Sequence, residues 1–157
     1  MEICVISVGK VVSEWISKGI GIFESRIAHY IKYSSLTIPD IKNSKSLSIE
    51  NIKEEEGKAI LAHINSSDFI VLMDEKGKEF TSREFASWNQ KKMNSGIKRL
   101  VIIIGGPYGF SQTLYSKANS LIALSKMTLT HEMARLILTE QLYRAMTILK
   151  GEQYHHD

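Results

Sequence analysis

The chain has 157 residues, 43% of them hydrophobic and 24% charged, with a net charge of +3 and a pI near 8.9. Both fractions are ordinary for a soluble globular protein, and the length fits one domain spanning residues 1–157 better than two. A single cysteine, Cys4, excludes an intrachain disulfide framework, and residues 124–157 carry four Lys/Arg against four Asp/Glu, so there is no basic tail.

Residues 3–8 read as an opening strand, with Cys4 expected to be buried in it. Met1 to Val8 is too short for the apolar region of a signal peptide, carries Glu2 and is broken by Gly9-Lys10. No apolar run approaches the roughly 20 residues needed to span a bilayer, so a soluble cytoplasmic protein without a membrane partner is expected. Ser13 can cap a helix whose apolar positions Ile16, Ile20, Phe23, Ile27 and Ile31 recur every three or four residues. A short strand at 36–38 stops at Pro39, and a polar loop runs from Lys42 to Ser48. A helix at 49–64 follows, with Glu54, Glu55 and Glu56 as a solvated face.

Residues 69–73 form a compact apolar strand ended by the turn signal Asp74-Glu75-Lys76-Gly77. Thr81 with Glu84 makes a capping box for a helix to about Asn94. Residues 99–104 are apolar on both faces, as in the middle of a parallel sheet. Gly105-Gly106-Pro107-Tyr108-Gly109 follows, then a short helix from Ser111 and a strand at 121–124. A long helix from His131 to Lys150 ends at Gly151. Strands and helices alternate, so the fold class is α/β, with a largely parallel sheet of five to six strands covered by helices on both faces.

In open sheets of this class, ligands bind beyond the C-terminal strand ends. The loops at 73–78, 105–110 and 125–130 are therefore the candidates. Paired glycines after the central strand allow close backbone approach. Neither a Rossmann fingerprint nor a phosphate loop is present. No metal site is expected: Arg135 stands where a His-Glu-x-x-His helix needs its second histidine, and consecutive His155, His156 and Asp157 diverge. His29 and His63 read as surface histidines on helices.

Several blocks occur in order: Ile6-Ser7-Val8-Gly9-Lys10, Glu55-Glu56-Gly57, Ile104 to Gly109, Leu124-Ser125-Lys126-Met127-Thr128-Leu129, Glu140-Gln141-Leu142-Tyr143-Arg144-Ala145 and Tyr154-His155. Together they resemble the ribosomal RNA large-subunit methyltransferase H family (RlmH) of the SPOUT superfamily, over essentially the whole chain. The resemblance implies a C-terminal trefoil knot, which no hydrophobic pattern signals. It also implies a homodimer, S-adenosylmethionine as methyl donor without a metal, and as target N3 of a pseudouridine in 23S rRNA at the subunit interface of the assembled ribosome. DNA is not an expected partner. The donor site it implies comprises Met73, where the family often has leucine, with Gly105, Gly106, Leu124, Ser125, Lys126, Met127, Thr128 and Leu129. Another RNA as substrate, or a non-catalytic role in ribosome assembly, stays open.

Direct displacement at the sulfonium needs the base to be positioned and one imide proton removed. Candidate catalytic residues are Arg135, Arg144, Tyr154 and His155, with His131 beside them. Arginine can hold phosphate or a developing imide anion, Tyr154 can stack on the base, and His155 can accept the proton. His156 stands where the family often has Arg or Lys. Met133, Leu136, Ile137, Tyr143 and Met146 supply more apolar surface than one sheet face needs, which suits a dimer. Lys10, Lys18, Arg26 and Lys32 are candidate phosphate contacts.

Overall fold

The structure is a computed structural model that describes residues 1–42 and 44–156. Asn43 of the polar loop and Asp157 of the tail lie outside the described residues. Five strands, β1 (Glu2–Val8), β2 (Lys32–Ile38), β3 (Phe69–Lys78), β4 (Arg99–Ile104) and β5 (Ser120–Ile122), form one sheet in the order β2-β1-β4-β3-β5. Every neighbouring pair is parallel. The helices are α1 (Glu14–Ile27), α2 (Ile49–Leu61), α3 (Ser82–Asn94), α4 (Gln112–Lys117) and α5 (His131–Lys150). No helix among the described residues is long and apolar enough to cross a membrane.

Alternation along the central strands builds two cores. Ile3 and Val5 of β1 and Leu100, Ile102 and Ile104 of β4 pack with Ile27 of α1, Phe85 of α3 and Leu138 and Leu142 of α5. Cys4, Ile6 and Val8, with Val101 and Ile103, face Ile60 of α2 and Leu114 of α4 on the other side. Both faces are covered, which is why β4 reads as an unbroken apolar run.

Several expected boundaries move, each for a local reason. Helix α1 stops at Ile27 instead of including Ile31, because the Tyr30 and Ile31 N–H groups both turn back to the Ile27 carbonyl. That turn lays Lys32 beside Glu2, where the two make an ion pair at 2.7 Å, and β2 pairs with β1 along all seven residues instead of three. Serines mask this strand, but the Ser34 hydroxyl donates to Glu2 at 2.9 Å. Ser13 sits at the N-cap of α1 without capping it. Its hydroxyl goes to Glu132 of α5, whose carboxylate also accepts the Val12 N–H at 2.6 Å and is held below its ordinary range, chiefly by that backbone donor. His29 and His63 are exposed in the turns after α1 and α2, not on the helices.

The turn signal after Met73 is real but sits within a strand. Met73 and Lys78 both pair with Ile122, so residues 74–77 bulge out of the ladder. Asp74 accepts the Lys76 N–H at 2.8 Å inside the bulge. A Cβ on Gly77 would lie 2.5 Å from the Ile122 backbone nitrogen, so only glycine lets β3 approach β5 this closely. Strand β5 correspondingly ends at Ile122, and the Ala123 N–H continues to the Lys78 carbonyl at 3.0 Å. Thr81 and Glu84 make the expected capping box, and Gly151 closes α5 in the left-handed region at φ 70°.

Candidate functional site

The sheet order places β4, β3 and β5 side by side. Met73 pairs with Ile104 on one side and Ile122 on the other, so the loops after all three strands open at one edge. Met73, the Gly105-Gly106 turn and the start of the 124–129 segment at Leu124 therefore lie at that edge. Gly105 lies on the buried Phe110 ring, which a Cβ would meet at 2.9 Å. Residues 124–129 make no backbone–backbone hydrogen bond among the described residues, although the Met127 N–H donates to Ser125 Oγ at 2.9 Å. Lys126 is exposed, 3.9 Å from Glu79, and Met127 is 77% exposed.

Glu56 corrects the reading of α2. Glu55 is solvated, but Glu56 is only 5% exposed. It falls on the buried stripe with Ile52 and Ile60, four residues to either side, and that spacing was the available signal. Burial, and then Asp40, push its carboxyl above the usual range, while a hydrogen bond from the Gly106 backbone draws it back.

The catalytic candidates divide into two places. Arg144, Tyr154 and His155 come together at the C-terminal end of α5 around Glu140. Arg144 Nε donates to Glu140 at 3.1 Å and the Tyr154 hydroxyl donates to the same oxygen at 3.0 Å. Glu140 raises the Arg144 pKa; burial, and then Glu140, raise that of Tyr154. The Arg144 guanidinium lies 4.7 Å from the Tyr154 ring centre, and Tyr143 meets that ring edge-on at 4.7 Å. The Tyr30 hydroxyl steadies the tail by donating to Glu152 at 2.6 Å. Glu140 was not among the expected site residues, although its i,i+4 spacing to Arg144 on a helix was visible.

Arg144 NH1 lies 3.3 Å from Nδ1 of His155. Arginine has only donors, so Nδ1 accepts and the neutral ring keeps its proton on Nε2. This arrangement suits His155 as a hydrogen-bond donor better than as a proton acceptor.

Arg135 stands apart, nine residues and so about 13 Å along the helix from Arg144. It donates to the Gly9 carbonyl at 3.2 Å and to Thr37 Oγ1 at 3.1 Å, clamping the ends of β1 and β2. With Lys10, Ser17, Glu24 and Ser35 it lines a pocket of about 550 Å³. His131 lies beside Gly9 as well, 3.7 Å from where a Cβ would be.

Among the candidate phosphate contacts, Lys18 pairs with Glu14 and Lys32 with Glu2, each at 2.7 Å, and Arg26 lies over the rings of Phe23 and Tyr143. Of the apolar residues of α5, Met146 is buried in its own core, whereas Met133, Leu136, Ile137 and Tyr143 are half-buried. Val12, just before α1, and Trp15 and Ile22 on α1 are exposed apolar side chains that were not foreseen.

Comparison with known proteins agrees with this architecture. The family model described as a predicted SPOUT methyltransferase matches residues 1–155. Ribosomal RNA large subunit methyltransferase H of Christiangramia forsetii is 50% identical over 156 residues, covering 99% of each chain. The protein of the same name from Parabacteroides distasonis is 50% identical over 157 residues and 100% of both chains. That of Flavobacterium johnsoniae is 49% identical over 156 residues and 99% of each. The chain belongs to the SPOUT methyltransferases, and within them to the family of ribosomal RNA large subunit methyltransferase H.

Proposed function

We propose that this protein transfers a methyl group from S-adenosylmethionine to N3 of a pseudouridine in 23S rRNA, acting on the assembled ribosome. The observation that carries the donor site is the double pairing of Met73 with Ile104 and Ile122, which gathers three loops at one sheet edge. There Met73 supplies an apolar wall, Gly105 and Gly106 permit close backbone approach, and residues 124–129 offer backbone groups without backbone partners to the adenine edge. S-adenosylmethionine supplies a cationic sulfonium with a good leaving group. The N3–C bond forms as the C–S bond breaks, and the N3 proton passes to solvent or to a base.

Arg144 and the Nε2–H of His155 donate to the imide oxygens as negative charge develops, and Tyr154 packs on the base. Arg135 orders the ends of β1 and β2 instead of touching the reacting atoms.

The donor loop leads directly into the first turn of α5, whereas the tail cluster sits at its other end, roughly 20 Å away by helix rise. A homodimer resolves this separation: the tail of one copy completes the donor site of the other. Trp15 and Ile22 on α1, with the half-buried Met133, Leu136 and Ile137 of α5, offer the apolar face for it. Membership of the SPOUT methyltransferases supports a C-terminal segment that threads into a trefoil knot.

Methyl transfer from labelled S-adenosylmethionine to intact ribosomes, isolated subunits and free rRNA, all from cells lacking the protein, tests the reading. Methylated pseudouridine found by mass spectrometry with intact ribosomes alone is the expected result. Transfer to none of the three would overturn the substrate.

A further inference from the structure

The pair Glu56-Gly57 on the inner stripe of α2 has no part in the reaction proposed above, yet it meets the donor loop at both ends. A Cβ on Gly106 would lie 2.7 and 2.8 Å from the two Glu56 carboxylate oxygens, so the carboxylate rests directly against the loop backbone. A Cβ on Gly57 would lie 2.6 Å from Ser111 Oγ. Ser111 is fully buried and caps α4 by accepting the Leu114 N–H. Between these two supports the turn closes on itself, the Gly109 N–H donating to the Gly106 carbonyl at 3.2 Å with Gly109 at φ +78°. Pro107 and Tyr108 project outward and are exposed.

A buried carboxylate is an expensive way to fill this space. Leucine or methionine would pack there without desolvating a charge, but neither could accept the Gly106 N–H. We infer that Glu56 is a positioning residue for the methyl donor: from beneath, its carboxylate holds the Gly106 N–H and fixes the turn at Gly105 and Gly106 before a donor arrives. A turn fixed in advance spares the donor the entropy of ordering it. The inference rests on the donor site proposed above. It adds that the site is preformed, and that α2, on the far face of the sheet from α5, does the forming.

The test measures S-adenosylmethionine binding by calorimetry for the wild-type protein, Glu56→Leu and Glu56→Gln, alongside methyl transfer to ribosomes. Leucine keeps the volume but leaves the Gly106 N–H without an acceptor; the donor Kd should rise about tenfold, with the KM for ribosomes unchanged. Glutamine offers an amide oxygen to the same N–H and should recover most of the lost affinity. A donor Kd for Glu56→Leu within about twofold of wild type would overturn the inference while leaving the donor site standing. Wild-type protein that binds no donor would sink the donor site itself. Hydrogen exchange on the donor-free wild-type protein decides independently of any variant's folding: the Gly106 amide should be protected, and exchange at the unprotected rate would overturn the anchor.

Discussion

If Glu140 loses its carboxylate, Arg144 and Tyr154 lose the acceptor they share, and the aromatic and cationic groups of the tail are free to drift. Small misplacements at a reacting centre are costly, so Glu140→Ala should lower kcat about a hundredfold without changing the donor Kd. Single-turnover methyl transfer beside calorimetry separates the two. Glu56 makes the opposite kind of prediction. Its carboxyl is raised in the folded protein, so the native state binds that proton more tightly than the unfolded chain does. Stability is therefore lost as pH rises from the unfolded value through the raised folded one. Glu56→Gln should raise Tm at pH 7.5, and the gap should close as pH falls below roughly 4. A Tm gap independent of pH would show that the buried charge carries no such cost.

At the scale of elements, the bulge between β3 and β5 is the most sensitive joint. The atoms nearest a Cβ on Gly77 belong to the backbone of Leu121 and Ile122, which cannot swing aside as a side chain would. Gly77→Ala should destabilise the fold by about 1–3 kcal/mol and weaken donor binding with it, as read from urea denaturation and calorimetry. The bulge also shows what was legible in the sequence. Continuous apolar runs announced β1, β3 and β4, and Thr81 with Glu84 announced α3, because these signals are local. The length of β2 was hidden because Ser34 and Ser35 carry no apolar pattern; pairing with β1, thirty residues earlier, makes it a strand. The loops that follow β4 and β5 were legible through their place after strands. The burial of Glu56 was obscured by two acidic neighbours. Its partner, Gly106, lies fifty residues away, beyond the reach of any short-range pattern.

At the scale of the whole molecule, the proposed homodimer, with the tail of one copy at the donor loop of the other, makes a sharp prediction. One subunit carrying Gly106→Leu retains its tail, and one carrying Arg144→Ala retains its donor site. Each alone should be inactive. Mixed and re-equilibrated, they should regain about a quarter of wild-type activity, since half of the dimers are then mixed and each mixed dimer holds one intact composite site. No recovery, with mixed dimers confirmed by native mass spectrometry, would place both halves of the site in one chain.

The strand order has a consequence for how the chain is made. The central pair joins β1, at the very start, to β4: Cys4 faces Val101, synthesised about 97 residues later. Until then β1 has only β2 beside it, and its other edge is an open ladder of unpaired donors and acceptors. Contacts so distant in sequence make closure slow. Much of this sheet therefore assembles only after most of the chain has left the machine that synthesises it, and the nascent N-terminal half is an aggregation-prone segment in need of shelter.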